Sequence, residues 1–260
     1  MTAVRSALGL LLVCVGALLA TAPSALAAPS YVALGDSYSS GVGTRTYYSN
    51  SGSCDRSPDA YGPLIAAADG YALNFQACGG ATTADVISSQ LGALNGSTSL
   101  VTITIGGNDA GFSTVMEDCA GWYFNCQSAI NTADSYIENT LPGALNTTYA
   151  DIRSDAPNAK LVVLDYPHLF TASGATCNFD ALTSSHEEEL NTTADDLDGV
   201  IKTAAASHGF TVVDPRSAFE SHEICSSSEW LNGLSNPLSE SFHPNIQGQA
   251  EFASLIEGVL

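Results

Sequence analysis

The chain has 260 residues, of which 45% are hydrophobic and only 13% are charged. This composition is typical of a folded protein with an apolar core and excludes an intrinsically disordered chain. Seven Lys and Arg residues against 27 Asp and Glu residues give a formal net charge of −20 at pH 7. Because nucleic acids and anionic membrane surfaces bind clustered cations, this charge balance argues against either as a partner.

The first 27 residues have the organisation of a secretory signal peptide. Arg5 precedes an almost wholly apolar stretch of 14 residues at 7–20, and Ala-Leu-Ala at 25–27 matches a signal peptidase site. A membrane-spanning helix needs about 20 apolar residues, so this stretch is too short for an anchor. We therefore expect cleavage after Ala27, export, a single mature domain over residues 28–260, and no stable membrane insertion.

Six cysteines would remain after removal of the signal peptide, because Cys14 lies within it. An even number of cysteines in an exported protein predicts a set of disulfides. Pairing in chain order keeps every loop short, and we favour it among the possible connectivities. A zinc site is disfavoured, since no C-x₂-C pair occurs. The favoured pairs are Cys54–Cys78, Cys119–Cys126 and Cys177–Cys225.

Short apolar runs alternate with segments that have helical patterns. The runs predicted as strands lie at 31–34, 71–75, 100–105, 161–164 and 210–213. They are nearly continuously apolar, as parallel strands covered on both faces are. Helices are predicted at 82–91, around the stripe Leu190, Ala194, Leu197 and Ile201 with Glu187–Glu189 near its start, and at about 245–260. This order predicts a three-layer α/β/α domain with a mainly parallel five-stranded sheet.

Turns rich in glycine and polar residues follow the predicted strands, where parallel sheets place their working residues. Ser37 follows the first strand, but a serine hydroxyl needs a base to become a nucleophile. His243, in a turn ahead of the last helix, is the candidate base. The Ser37 N–H, the Gly80 N–H and the Asn108 side chain are candidate donors to an oxyanion. Each turn alone is common, whereas their joint position favours an acyl-transfer site.

Together these turns resemble the successive sequence blocks of the SGNH, or GDSL, hydrolases. The segment 31–41, which contains Gly-Asp-Ser-Tyr at 35–38, resembles more narrowly the secreted lipases, esterases and phospholipases A1 of Streptomyces-like actinomycetes. The six cysteines and the segment 241–245 share this resemblance, which covers the whole mature chain.

The resemblance implies the SGNH-hydrolase fold, which is flavodoxin-like, with Ser37 as nucleophile and His243 as general base. It also implies that Gly80 and Asn108 complete the oxyanion hole with the Ser37 N–H, and that the cysteines pair in chain order. We expect no metal and no cofactor.

One position departs from the family pattern. The family has Asp three residues before the histidine, and this chain has Glu240 there. Either the longer Glu240 side chain or the Ser241 carbonyl must hold one ring nitrogen of His243, so that the other can take the Ser37 proton. We favour the Ser241 carbonyl, because the resembling actinomycete lipases have a similar arrangement.

The sequence and its resemblance therefore predict a secreted, monomeric serine ester hydrolase that acts on lipid or small ester substrates. One alternative is a carbohydrate acetyl esterase on the same scaffold, which the lack of an aromatic-rich binding module disfavours. Another is a non-catalytic secreted binding domain, which has no use for Ser37, Asn108 and His243 together. The four remaining histidines are predicted to be loop or surface residues: His168, His186, His208 and His222.

Overall fold

The computed structural model describes residues 27–120, 125–171 and 182–260, and residues 1–26 of the predicted signal peptide lie outside this part of the chain. Its five strands form one sheet in the order β2-β1-β3-β4-β5, and every neighbouring pair is parallel. The strands are β1 Ser30–Gly35, β2 Ala72–Phe75, β3 Thr98–Thr104, β4 Lys160–Leu164 and β5 Thr211–Val213. The predicted parallel sheet is confirmed.

Helices cover both faces of this sheet. Among the described residues they are α1 Ser37–Ser40, α2 Tyr61–Asp69, α3 Thr83–Asp85, α4 Phe112–Ala120, α5 Cys126–Asn139, α6 Leu141–Asp155, α7 Ser184–Ser207, α8 Arg216–Phe219 and α9 Ile246–Glu257. Helices α2 and α9 pack together, with the Tyr61 and Phe252 rings 6.4 Å apart, while α5, α6 and α7 pack against one another. The result is the predicted α/β/α sandwich. None of the described helices combines the length and the apolar character needed to span a membrane.

The predicted helix at 82–91 differs from the structure. Only Thr83–Asp85 is α-helical, and a π-helical turn at Val86–Gln90 follows it. In this wider turn the buried Gln90 side chain faces β1, accepting from the Gly35 N–H over 2.8 Å and donating to the Gly35 carbonyl over 2.9 Å. A π turn of this kind commonly marks a local functional or packing constraint, here the pair of bonds to the end of β1.

Other boundaries also shift. Helix α7 is longer than its apolar stripe, because Thr183 caps it by accepting from the His186 N–H. The last helix is shorter than predicted and ends at Glu257. The prediction that β2 is covered on both faces is wrong, since it is an edge strand whose residues alternate between exposed and half-buried. Helices α2, α4, α5 and α6 are absent from the sequence prediction.

The register of the central strands brings the chemical turns together. Gly35 lies beside Thr104, so β1 and β3 end at the same level. The Asp36 N–H then donates to the Thr104 carbonyl over 3.0 Å. Gly35 has a φ of 118°, and a Cβ there would collide with the Thr104 carbonyl oxygen. Only glycine therefore fits where the chain leaves β1 and turns towards Ser37.

Two of the three predicted disulfides are present. The Cys54–Cys78 bond joins a loop to the turn after β2, and the Gly79 N–H donates to the Cys54 carbonyl beside it over 3.0 Å. The Cys119–Cys126 bond joins the end of α4 to the start of α5. The third predicted pair includes Cys177, which lies outside the described residues.

Candidate active site

The structure brings Ser37 and His243 into direct contact. The Ser37 Oγ lies 2.8 Å from His243 Nε2, and Nδ1 of the same ring lies 2.8 Å from the Ser241 carbonyl oxygen. Because a carbonyl can only accept, Nδ1 carries the proton of the neutral ring. The Nε2 atom is then free to accept the Ser37 hydroxyl, which is the arrangement of a nucleophile beside its base.

Ser37 is held at the start of the four-residue helix α1. Asp36 caps this helix, and its carboxylate accepts from the Tyr38 N–H over 2.9 Å. Asp36 is almost fully buried, and burial raises its pKa to about 7, although the Tyr166 hydroxyl and backbone donors oppose the shift. The cap fixes the backbone on both sides of Ser37.

His243 projects from a strained turn. Phe242 has a φ of 64°, a left-handed conformation that is costly for a bulky residue. The Phe242 N–H donates to the Asn232 carbonyl over 2.9 Å, and the Asn232 N–H donates to the His243 carbonyl over 2.9 Å. The Tyr38 hydroxyl also donates to the Phe242 carbonyl over 2.7 Å. These bonds hold the turn so that the imidazole faces Ser37.

The surroundings of His243 keep its ring neutral. Burial lowers the pKa of His243 from 6.5 to about 4, and the bond to the Ser241 carbonyl opposes only part of this shift. The Tyr38 ring lies 5.4 Å from the imidazole and the Phe112 ring 6.3 Å, so aromatic carbon borders it on two sides. At neutral pH the imidazole is therefore in the form that can accept a proton.

Glu240 does not contact the imidazole. Its carboxylate accepts from the Gly43 N–H over 2.8 Å and from the Tyr47 hydroxyl over 2.6 Å. Of the two orienting groups considered from the sequence, the structure places the Ser241 carbonyl on the ring of His243. Glu240 instead connects the loop after α1 to the turn that carries the histidine.

The turns after β2 and β3 are bound to each other. The Asn108 side-chain amide donates to the Ala81 carbonyl over 3.0 Å. The Asp109 carboxylate accepts from the Thr83 N–H over 3.0 Å and from its hydroxyl over 2.6 Å. Gly80 has a φ of 78°, and nothing lies within 4 Å of an added Cβ. Glycine is therefore favoured here by the left-handed backbone conformation and not by lack of space for a side chain. Asn108 has a second amide N–H that this contact leaves for a ligand.

An apolar pocket opens at Ser37 and Asn108. It holds about 670 Å³ of empty space, counting its open mouth. Helices α4, α5 and α7 supply its apolar walls, which include Val115, Met116, Ala133, Ile137, Leu190 and Leu197. Few polar residues line the pocket, and they include Asp36, Ser37, Asn108 and Tyr166. These four lie at the end of the pocket that is formed by the turns after β1, β3 and β4.

A wider groove is lined by His243. Its lining includes Phe112 and Met116, and it extends to Leu234 and Leu238. Leu238 is 72% exposed, more than any other large apolar side chain in the described residues. Glu117 and Asp118 also line this groove. Ser37 thus lines an apolar pocket, and His243 lines the neighbouring wider groove of mixed polarity.

Comparison with known proteins agrees with this geometry. Residues 33–251 match the model of the GDSL-like lipase/acylhydrolase family. The chain belongs to this family. It is therefore a carboxylic ester hydrolase of the GDSL lipase and esterase type. Lipase 1 of Streptomyces coelicolor is 46% identical over 238 residues, which cover 90% of this chain and 88% of that protein.

Two solved structures have nearly the same fold. The extracellular lipase of Streptomyces rimosus superposes with a TM-score of 0.86 and 42% identity, covering 90% of this chain and 100% of that one. A phospholipase A1 from Streptomyces albidoflavus NA297 gives a TM-score of 0.85 and 46% identity, covering 89% and 99% of the two chains. The resemblance seen in the sequence is confirmed.

Several residues around this GDSL-like site are not predicted from the sequence. Tyr38, Asn232 and Tyr166 each make a hydrogen bond to one of the catalytic turns. Tyr166 follows β4 directly, so its place at the carboxyl edge of the sheet was the available signal. His168, by contrast, lies beside Asp195, with 2.9 Å between Nε2 and Oδ1, and His222 stacks on Trp230.

Proposed function

We propose that this protein is a secreted lipase or phospholipase that cleaves acyl esters of lipids through an acyl-enzyme on Ser37. The observation that carries the proposal is the Ser37–His243 contact of 2.8 Å at the mouth of an apolar pocket. A nucleophile and a base alone could hydrolyse many kinds of ester. An adjoining pocket lined by apolar side chains from three helices favours a substrate with a hydrocarbon chain.

In the first half of the reaction, Ser37 Oγ attacks the ester carbonyl carbon while His243 Nε2 takes the hydroxyl proton. The carbonyl oxygen becomes an oxyanion, and the N–H groups of Ser37 and Gly80 and the Asn108 amide stabilise it. The C–O bond to the alcohol then breaks. The imidazolium returns its proton to the leaving oxygen, so that a free alcohol departs and the acyl group stays on Ser37.

In the second half, a water molecule attacks the acyl carbon and gives its proton to His243 Nε2. The same donors hold the second oxyanion. When the bond to Ser37 Oγ breaks, the imidazolium protonates that oxygen, and a carboxylic acid leaves. Throughout, the Ser241 carbonyl keeps the proton on Nδ1 and stabilises the imidazolium that forms twice in each cycle.

The two cavities support a division of the substrate. The acyl chain would enter the pocket between α4, α5 and α7, because its walls are apolar. The alcohol part, such as a glycerol backbone and head group, would lie in the wider groove that contains Leu238 and Glu117. This orientation places the scissile carbonyl between Ser37 and Asn108.

Export is part of the proposal. The apolar stretch at 7–20 and the small residues at 25–27 support a cleaved signal peptide. Two disulfides among the described residues also suit an oxidising compartment. N-terminal sequencing of protein recovered from the culture medium should begin at Ala28. Retention of residues 1–27 in the external protein would contradict cleavage.

The first test is initial rates on p-nitrophenyl esters from acetate to palmitate, with Ser37→Ala alongside. We expect turnover on medium or long chains that the substitution abolishes. Turnover on acetate alone would favour a small-ester or carbohydrate deacetylase, and no Ser37-dependent turnover would favour a binding domain. Release of fatty acid from position 1 of phosphatidylcholine would then establish a phospholipase A1.

A further inference from the structure

A chain of hydrogen bonds joins the turn that carries the nucleophile to the turn that carries the oxyanion donor. The Gly107 N–H donates to the Tyr166 hydroxyl oxygen over 3.1 Å. That hydroxyl donates in turn to the Asp36 carboxylate. One phenol oxygen therefore connects the residue before Ser37 with the residue before Asn108.

This series of hydrogen bonds is shielded from water. Asp36 is 1% exposed and Tyr166 is 7% exposed. Burial, together with the nearby Asp36 carboxylate, raises the pKa of the Tyr166 phenol well above its ordinary value, so the phenol stays protonated and can donate. A buried carboxylate needs hydrogen-bond donors. The phenol and the Tyr38 N–H supply them and so fix the position of Asp36.

Tyr166 is itself held on several sides. Its N–H donates to Asp198 Oδ1 over 3.2 Å, just beyond the end of β4. Its ring meets the Tyr38 ring edge to face at 5.0 Å. A Cβ at Gly107 would lie 3.2 Å from the Tyr166 ring, closer than ordinary contact, so glycine permits this approach. The phenol oxygen thus has little freedom to move relative to β4.

We propose that Tyr166 is a positioning residue that sets the place of Asn108 relative to Ser37. Its hydroxyl acts through Asp36 on one turn and through Gly107 on the other, and it takes no part in bond making or breaking. The inference rests on the proposed ester hydrolysis. Oxyanion donors stabilise a transition state only in a narrow geometry, and a displacement of about 1 Å can cost about 100-fold in rate.

The test is Tyr166→Phe, which keeps the ring on the pocket wall and removes only the bridging oxygen. We expect kcat on p-nitrophenyl butyrate to fall about ten- to hundredfold. KM should change less than about twofold, because the pocket lining is preserved. The matched control is Tyr31→Phe, which also removes a buried hydroxyl. The Tyr31 hydroxyl oxygen lies 2.7 Å from the Thr102 hydroxyl oxygen, within the sheet and not in the turns that carry Ser37 and Asn108. That control should lower the melting temperature comparably and leave kcat within about twofold.

A double-mutant cycle with Asn108→Ala separates positioning from a general loss of structure. Asn108→Ala alone should cost about 100- to 1,000-fold in kcat. Adding Tyr166→Phe should then cost less than about threefold more, since the group that it positions has gone. If the fold-losses in kcat of the two single variants multiply in the double variant, or if Tyr166→Phe leaves kcat unchanged, the positioning role of Tyr166 is overturned. Neither result would overturn the proposed ester hydrolysis. No Ser37-dependent turnover in the unmodified protein would overturn the proposed function, and this role with it.

Discussion

The Glu240 carboxylate bonds to Gly43 and Tyr47 and not to the His243 imidazole, although Glu240 occupies the position of the family's acidic residue. It is 4% exposed and accepts two hydrogen bonds, from Gly43 and from Tyr47. The orienting task falls to the Ser241 carbonyl, which the backbone supplies whatever the side chain. Glu240 therefore contributes to loop stability, while the ring of His243 depends on the conformation of its own turn.

Glu240→Gln should consequently leave kcat within a few-fold of the unmodified enzyme. The amide oxygen can accept from the Gly43 N–H, and the amide nitrogen can donate to the Tyr47 oxygen. Initial rates on p-nitrophenyl butyrate measure the effect. A loss of about 10³- to 10⁴-fold, as when the acid of a triad is removed, would contradict the geometry. Glu240→Ala, which removes the acceptor of both hydrogen bonds, should lower the melting temperature more than Glu240→Gln does.

The acid limb of activity should lie well below the ordinary pKa of histidine. The base form of His243 is neutral, and burial lowers its pKa from 6.5 to about 4, so more acid is needed to inactivate it. We expect kcat/KM on a soluble butyrate ester to stay level from pH 8 to about 5 and to halve near pH 4. A discontinuous assay, developed at alkaline pH, measures the product across this range.

Asp36 provides the control for that profile. Its pKa is raised to about 7, so it gains a proton as pH falls through neutrality. A protonated carboxyl can still accept from the Tyr38 N–H and remain bonded to Tyr166, and we expect no limb there. If activity falls near pH 7 and Asp36→Asn removes that fall, the titrating group is Asp36. A limb near 6.5 that Asp36→Asn leaves in place would show that the imidazole is well hydrated.

The sequence could predict that Ser37, Asn108 and His243 come together, because each lies in a turn next to an apolar strand or the last helix. It could not locate the bonds that hold them. Tyr166 and Asp36 are 130 residues apart in the chain, and no local pattern reports such a pair. The left-handed φ of Phe242 is likewise unpredictable, since a large aromatic residue gives no sign of that conformation.

At the scale of elements, the strands were easier to predict than the helices that form the pocket. Strands β1 and β3 are buried along most of their length, and their apolar runs stand out against polar turns. Helix α5 buries Ile130, Ala133 and Ile137 at helical spacing, but small alanines and intervening polar residues dilute the pattern. The apolar pocket between these helices therefore cannot be predicted from the sequence.

Ala133 tests which helix faces meet the acyl chain. It lies on α5, is 3% exposed and lines the pocket. Ala133→Leu should fill space that a long chain needs, lowering kcat/KM on p-nitrophenyl palmitate about tenfold or more relative to butyrate. The matched control is Ala204→Leu, equally buried at 3% in α7 but outside the pocket lining. Equal losses on every chain length in the Ala133 variant would contradict an acyl pocket between these helices.

At the scale of the whole molecule, charge governs which lipid surface the enzyme can approach. A net charge of −20 repels anionic vesicles most strongly where the screening length is long, about 30 Å at 10 mM salt. Fatty acid release from phosphatidylglycerol vesicles should therefore rise several-fold between 10 mM and 500 mM NaCl. Release from phosphatidylcholine vesicles, and turnover of a soluble butyrate ester, should change less than about twofold.

The opposite salt response would locate an attractive surface within this acidic protein. Arg45 is the residue to test, because its guanidinium donates to the Ser235 hydroxyl over 3.2 Å, beside Leu234 of the groove. If rates on anionic vesicles fell with salt and Arg45→Ala removed that dependence, local attraction at the groove would outweigh the net charge. A rise with salt in both proteins would show that the long-range field of the whole chain dominates the approach.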